Sequence, residues 1–591
     1  MNTQCNAFQA VQGFFLESVN TPEHVINVLA HGGWSVSVPS VVNMVRSLTA
    51  ERWEIIWNLS KNGLCTLAYD NLDFDFKPKE ATLENPGTFE SITTSTFIPL
   101  GHGTTLEDLQ FSDELWRRSS LNLQGAKDVT PSWPPSLRYI LNWVEESTLN
   151  IEWAMWWYIK SVVVEYLPPS YKELLGLMSS SKWISVEKSM QEPVCTMHIK
   201  ALSNDGNIKI IENLEHQLGT KSEWYNSYVH LCHGNIGTQE CHDSTMFFCA
   251  VESSSQNRLQ WLMTVPGIFH VQMAAVDAIW RTHISGHALH SNEGGTYKLF
   301  ETLCPWDFTR LNSNPSYHML NNGIMHLIKA HITVCWEQVI GDPDLQEFVS
   351  TKLTWEVIDN MVHQIFIESF AGNNFNDLQD QPDSKCDKRQ ENQLLFNQDG
   401  LMYILLAQAS NNGAIGLMRD LLWVWVPMFH MCGKHKYATH LSKFLWDLQD
   451  TYPARLSHTI EMHWLCNPTG MPWGFRGIDW WVELNNLYTK VGKHECHTKS
   501  TSAKHAYAPE TWESWEHKEG WEQNSTFRSS LNTPGACQEW LGIVWRVCVS
   551  SCQELRVPGR VRSNWPLQEQ SQGSWSDWEW HGVGRLLDQT T

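Results

Sequence analysis

Between Asn467 and Gly474 the chain reads NPTGMPWG, and a stretch of that composition cannot continue a helix or a strand. Pro468 and Pro472 lack a backbone N–H, and Gly470 and Gly474 favour tight turns. Directly behind this break a helical period begins. Ile478, Trp481, Val482 and Leu484 form an apolar stripe, while Asp479, Glu483, Asn486 and Lys490 fall on another face. Asp479 and Glu483 are four apart, so their carboxylates project from one side and repel mildly unless a cation sits nearby. The same residue types also describe a solvated acidic face on an amphipathic helix. The rest of the chain is read here as arranged around this element.

Upstream, short apolar runs bounded by turn-formers alternate with helical patterns, which is the signature of an α/β fold. Gly63 to Tyr69 (GLCTLAY) reads as a buried strand that delivers Asp70 at its end. Ile92 to Leu100 is a second strand and Val194 to Ala201 a third, followed by a helix over Ile208 to Leu218. Tyr225 to His233 reads as the next strand and leads into His233-Gly234-Asn235-Ile236-Gly237-Thr238. Gln256 to His270 passes from helix into strand and ends in PGIFH, and Val271 to His290 reads as a helix. Two stretches are helical insertions: about 107–181, rich in Pro and Trp, and 300–430, with helices at Asn321–Val339, Trp355–Phe370, Leu401–Leu406 and Ala414–Met428. Within the second, Gly372 to Gln393 is polar and charge-mixed and is expected to be a mobile loop. Residues 20–59 have the outline of a helix-turn-helix, with Arg46 and Arg52 as its main cations; a plain helical hairpin packed on the main domain fits the same pattern.

Five motifs carry a resemblance: Tyr69-Asp70-Asn71, the HGNIGT at 233–238, PGIFH at 266–270, GKHKYATH at 433–440, and NPTG at 467–470 with Glu483-x-x-Asn486. Together they resemble a fungal family known only as a domain of unknown function, itself similar to RNase H-like DDE transposases. The resemblance implies an α/β fold with an RNase H-like mixed sheet core and large all-helical insertions. It implies a helical region at 1–60, core strands at 61–270, an insertion domain at 271–460 and the acid-bearing helix at 461–490. It also implies three metal-binding positions: Asp70, residue 235 and Glu483, holding Mg²⁺ or Mn²⁺ for in-line attack on a DNA phosphodiester. Here the chain departs from the pattern, because the family motif resembles HGDxGT and position 235 is Asn. A carboxylate can bridge two cations, whereas an amide offers one neutral oxygen. The expected protein is therefore transposase-derived and nucleic-acid-related, from a Mg-dependent strand transferase or nuclease, and more inactive than active. A non-catalytic DNA- or protein-binding relic is the alternative. Lys434, Lys436 and Arg476 are the DNA-contact candidates, through backbone phosphates; a solvated helix start explains the two lysines equally.

Charge limits any such contact to a local patch, because the formal net charge of −22 makes the surface as a whole repel nucleic acid. No run of 18 apolar residues occurs, so no membrane partner is expected. The opening MNTQCNAFQA lacks a basic segment followed by an apolar one, and the 15 cysteines have no disulfide-scaffold spacing. An intracellular protein is the expectation, with the nucleus as its place under the DNA reading. His283, His287 and His290 fall at i, i+4 and i+7 of one helix, a spacing that suits zinc; a polar helix face is the alternative, and a zinc-stabilised helical protein the third functional reading. Residues 491–591 hold nine tryptophans and no sustained period. They do not resemble the family's continuation and read as a gene-model or frame artefact beginning at Val491. Chance explains His494 to His497 (HECH) and Cys548/Cys552 better than a zinc site does.

Overall fold

The computed structural model describes residues 7–18, 21–76, 88–125, 136–284, 296–303, 316–341, 348, 353–371 and 388–486. The protein is mixed α/β and mostly helical, built on one five-stranded sheet. Its strands are β1 (Cys65–Phe76), β2 (Thr88–Pro99), β3 (Glu192–Met197), β4 (His230–Gly234) and β5 (Leu262–Pro266). They lie in the order β3-β2-β1-β4-β5. β1 and β2 are antiparallel over their full length, from Cys65 opposite Pro99 to Phe76 opposite Thr88, and β3 is antiparallel to β2. β4 runs parallel to β1, and β5 parallel to β4. A parallel pair needs a crossover, and the helix Ile236–Cys249 provides it between β4 and β5.

Strand alternation sends neighbouring residues of β1 to opposite faces. Leu67 and Tyr69 join Phe97, Val194 and Met197 against the helix Asn204–Leu218, which contributes Ile210, Ile211, Leu214 and Leu218. Ala68 and Ile98 face the other way, onto Cys466, Ile478 and Val482. Those last two belong to a helix over residues 478–486, here called the terminal helix. A small antiparallel pair, Leu465–Cys466 with Arg476–Gly477, holds the loop between them. In that loop the Asn467 side-chain oxygen accepts the Gly470 N–H at 2.8 Å, and Gly470 takes φ +72°, which glycine adopts without strain. The turn expected at NPTG is present, and it aims the terminal helix back across the sheet.

The largest core lies in the helical body. The helix Leu137–Glu165 packs against Tyr317–Ile340, Trp355–Ser369, Lys388–Asn412 and Ile415–Met431. The stretch 107–181 therefore contributes a central member of this body. β5 and the helix Ile268–Ile279 border the same core through Val265, Ile268 and Val271. At the other end, the helices Glu23–His31 and Val38–Ser60 follow the helix-turn-helix outline, and Gly33 between them has φ +75°. The second is docked on the main domain: Trp57 Nε1 donates to the Gln217 carbonyl at 2.9 Å and Ser60 Oγ to that of Leu218 at 2.7 Å.

Some expectations need correction. β1 continues past Tyr69 to Phe76, since Leu72 keeps the alternation by packing on Ile92. Tyr225 and Asn226, the start of the expected strand Tyr225–His233, belong to a helical turn, Glu223–Asn226, because Ser222 accepts the Tyr225 N–H as a cap; the strand starts only at His230. PGIFH starts a helix at Ile268, and residues 388–393 of the expected mobile loop are helical; 372–387 lie outside the described residues. The expected helix from Val271 continues Ile268–Ile279 as a π-helical turn, Trp280–Ile284. The tail, with its artefact reading, also lies outside them.

Candidate functional site

β1 keeps its parallel partner β4 only from Thr66 to Ala68. Asp70 stands two residues on, which places it on Ala68's face, under the terminal helix. It marks the end of that pairing, in mid-strand, and not the end of the strand as expected. Asn235 follows β4 and caps the helix Ile236–Cys249, its Oδ1 accepting the Thr238 N–H at 2.9 Å. That contact fixes the amide. Its Nδ2 turns toward Asp70 and donates to Oδ1 at 3.0 Å. Asn486, on the terminal helix, is oriented in the same manner: Thr94 Oγ1 donates to its Oδ1 at 2.7 Å, and its Nδ2 meets Asp70 Oδ2 at 3.5 Å. Glu483, one turn earlier, hydrogen-bonds Asp70. Asp70, Asn235 and Glu483 therefore share one pocket, although they come from remote parts of the chain. Burial first, and then the Glu483 charge and hydrogen bond, push the Asp70 carboxyl up to about 7, with His270 opposing them.

His270 and Asp479 complete the pocket. The helix Ile268–Ile279 has Gly267 at its N-cap, which has no side chain to cap it. Asp479 supplies the cap from the terminal helix, accepting the N–H groups of Phe269 at 3.2 Å and His270 at 3.0 Å. Gly267 is required for this approach, since a Cβ there would lie 2.3 Å from Asp479 Oδ2. His270 Nδ1 is 2.9 Å from Asp479 Oδ2, and its Nε2 is 3.6 Å from Glu483 Oε1. Burial lowers the affinity of the His270 ring for its proton, but hydrogen bonds to Asp479 and Glu483 outweigh it and raise the pKa to about 10. The cation that the Asp479/Glu483 spacing called for is thus an imidazolium. Also within reach of the Asp479 charge, His233 is pushed down to about 3 by burial, so that ring is neutral.

This donor set does not fit a centre of two divalent ions. Mg²⁺ and Mn²⁺ take oxygen ligands, yet the Asn235 oxygen is used by Thr238 and its NH₂ faces the pocket. Glu483 lies against the His270 ring. Among the described residues, no group of three or more His, Cys, Asp or Glu side chains is arranged to hold a metal ion. The zinc expectation at His283, His287 and His290 falls mostly on residues that are not described. His283 Nε2 is 2.7 Å from Asp399 Oδ2, and His287, His290, the HECH motif and Cys548/Cys552 lie outside the described residues.

The expected phosphate contacts are paired with acids or carbonyls. Lys434 Nζ meets Asp277 Oδ2 at 2.6 Å, and Lys436 Nζ meets Glu240 Oε2 at 2.7 Å. Arg476 donates to the carbonyls of Trp473 and Phe475 and to Asn411 Oδ1, and lies 5.7 Å from the Trp480 ring centre. Sequence reasoning named PGIFH and the Asp479/Glu483 pair as patterns without assigning His270, Asp479 or Asn486 to the pocket. The signal was there for His270 in the mild repulsion between two acids that needed a cation.

The profile of one family of unknown function matches residues 133–508, a span that includes Asn235, His270 and Glu483, leaves out Asp70, and runs past Val491. No curated protein and no solved structure matches the chain. No helix of the described residues is long and apolar enough to cross a membrane.

Proposed function

The chain belongs to the family of unknown function DUF6589, and from that premise we propose a transposase-derived, nucleic-acid-related protein whose pocket no longer performs metal-dependent strand chemistry. The observation that carries the reading is the meeting of Asp70, Asn235 and Glu483 with an amide at the second of the three positions. Its support is topological as well. A three-strand antiparallel meander followed by two parallel strands, in the order β3-β2-β1-β4-β5, is the arrangement an RNase H-like core would have. A helical body inserted before the last acid-bearing helix agrees with that ancestry by analogy.

Asn235 explains why the reading is of a relic. An acid at 235 would cap the helix equally well and would set a further carboxylate against Asp70, beside Glu483. The amide donates a hydrogen bond instead and adds no charge. What remains is a closed polar cluster, suited to hold β1, the Asn235 helix and the terminal helix together. Any residual function is then binding, of DNA or of protein, through surfaces outside the cluster.

A Mg²⁺- or Mn²⁺-dependent DNA nicking and strand-transfer assay on the full chain tests this. The expected result is no cleavage by the wild type. Cleavage that is lost in Asp70→Asn and Glu483→Gln would refute the inactive reading. Electrophoretic shifts with duplex DNA at low and moderate salt separate a DNA-binding relic from a protein-binding one.

A further inference from the structure

The helix Leu137–Glu165 already buries one apolar face, with Ile151, Ala154, Met155, Tyr158 and Ile159 among its buried residues. Its first half carries a second apolar row on the solvent side: Leu137 is 66% exposed, Leu141 47%, Leu149 63% and Trp153 53%. These four fall on one i, i+4 line whose middle member is Glu145, and the line runs about 24 Å at a rise of about 1.5 Å per residue. Arg138, Asn142, Glu145, Thr148 and Glu152 are exposed along the same face. Among the described residues, Arg138 and Glu152 take part in no ion pair. Apolar side chains aligned in this way, and not scattered, mark an interaction surface.

The face is complementary to itself. Two copies packed antiparallel about a two-fold axis at Glu145 set Leu141 opposite Leu149, Leu137 opposite Trp153, Asn142 opposite Thr148 and Arg138 opposite Glu152, each of them twice. Parallel pairing would set every residue against its own copy, so that Arg138 met Arg138 and Glu152 met Glu152. We propose that this face of the Leu137–Glu165 helix docks on the same face of a second copy of the chain, antiparallel and centred on Glu145. Helices crossing at about 20° keep such a seam in contact along its length. The net charge of −22 on each copy opposes the approach, but at about 0.15 M ionic strength it is screened beyond about 8 Å. Within that distance the two Arg138–Glu152 pairs act. The unfavourable contact is Glu145 against itself on the axis, and it makes the arrangement recognisable. The surface lies outside the polar pocket, so the proposal stands or falls independently of that pocket's ancestry.

Analytical ultracentrifugation of the full chain over a wide range of concentration, at about 0.15 M salt, is the test. The wild type should show a monomer–dimer equilibrium. Leu149→Lys should weaken it at least about tenfold, and Arg138→Glu should weaken it by setting two acids together. The double variant Arg138→Glu/Glu152→Arg rebuilds each pair with its signs exchanged and should return association to near the wild-type strength. Glu145→Gln should tighten the dimer at least about threefold, because it removes the like charges on the axis; contact through another face gives no such gain. Every substituted residue is exposed, so folding, followed by circular dichroism, should be unchanged. A wild type that stays monomeric at every concentration overturns the proposal. So does a dimer that Leu149→Lys leaves intact, which assigns association to another face. Failure of the double exchange to recover what Arg138→Glu lost overturns it too, by excluding the antiparallel register.

Discussion

The helical body and the sheet-end pocket are held together by different physics. In the body, Trp423, Leu405, Phe429 and Ile328 are at most 1% exposed and contribute through apolar area, which has no direction. A charged exception there, Lys160, lies over the Trp156 ring and is paired with Asp359 at 2.5 Å. In the pocket, nearly every contact is directional: an amide fixed by Thr238 donates to Asp70, an amide fixed by Thr94 does the same, and Asp479 caps a helix while it holds His270. The body should therefore lose stability in proportion to the volume removed. The pocket should fail when one partner changes charge and its shape is kept.

The largest effect is expected in the body. Phe429→Ala should cost about 3–5 kcal/mol, and Phe429→Leu much less, because the leucine refills most of the space. Urea denaturation of both variants checks this. Equal losses would show that shape, not volume, sets the stability of the body.

Asp479→Asn changes almost no volume, yet it should cost about 3 kcal/mol. It leaves a buried imidazolium without its closest acid and weakens the cap on the helix Ile268–Ile279. The same denaturation series measures it. A loss below about 1 kcal/mol would mean the pocket is held by packing, as the body is, and the contrast would break.

A smaller effect separates the regions by pH. Burial and Glu483 raise Asp70 from 3.8 to about 7, and its carboxylate partners raise His270, against burial, from 6.5 to about 10. A raised group binds its proton more tightly when folded, so its stabilisation is complete below the unfolded value and is lost as pH climbs through the folded one. For Asp70 that window is 3.8 to about 7, and for His270 6.5 to about 10. Asp70→Asn imitates the protonated carboxyl and should remove the lower window. Relative to the wild type it should gain on the order of 1 kcal/mol between about pH 4 and 8. Parallel stability curves for the two proteins would place the proton elsewhere.

The same contrast decides what could be read from the sequence. Some helices of the body are legible through apolar period: Trp355–Ser369 differs by one residue from the reading, whereas Lys388–Asn412 shows that period only over Leu401–Leu406. β1 was legible as far as Tyr69 and then lost, because Asp70, Asn71, Asp73 and Asp75 are poor strand formers, and the strand continues through its antiparallel pairing with β2. The convergence of Asp70, Asn235 and Glu483 came from motif resemblance, since no local pattern relates residues so far apart. His270 and Asn486 entered only with the coordinates: each acts through a partner that spacing along the chain does not reveal, Asp479 for one and Thr94 for the other.

The smallest effect lies at the surface between the two regions. Lys436 is paired with Glu240 on the Asn235 helix, but its side chain is 71% exposed. An exposed pair of this kind contributes little, so Lys436→Ala should change stability by less than about 0.5 kcal/mol. Lys434, 17% exposed and 2.6 Å from Asp277, should cost more on the same substitution, because its loss leaves a half-buried acid without that cation. If the patch meets nucleic acid, the order reverses for binding: Lys436 is free to turn toward a phosphate and Lys434 is not. Lys436→Ala should then lower DNA affinity and reduce the salt slope by roughly one unit, while Lys434→Ala acts through stability alone. Duplex binding titrated against salt, beside urea melts of the same two proteins, reads both orders. An unchanged salt slope in Lys436→Ala would remove this patch from any nucleic-acid surface.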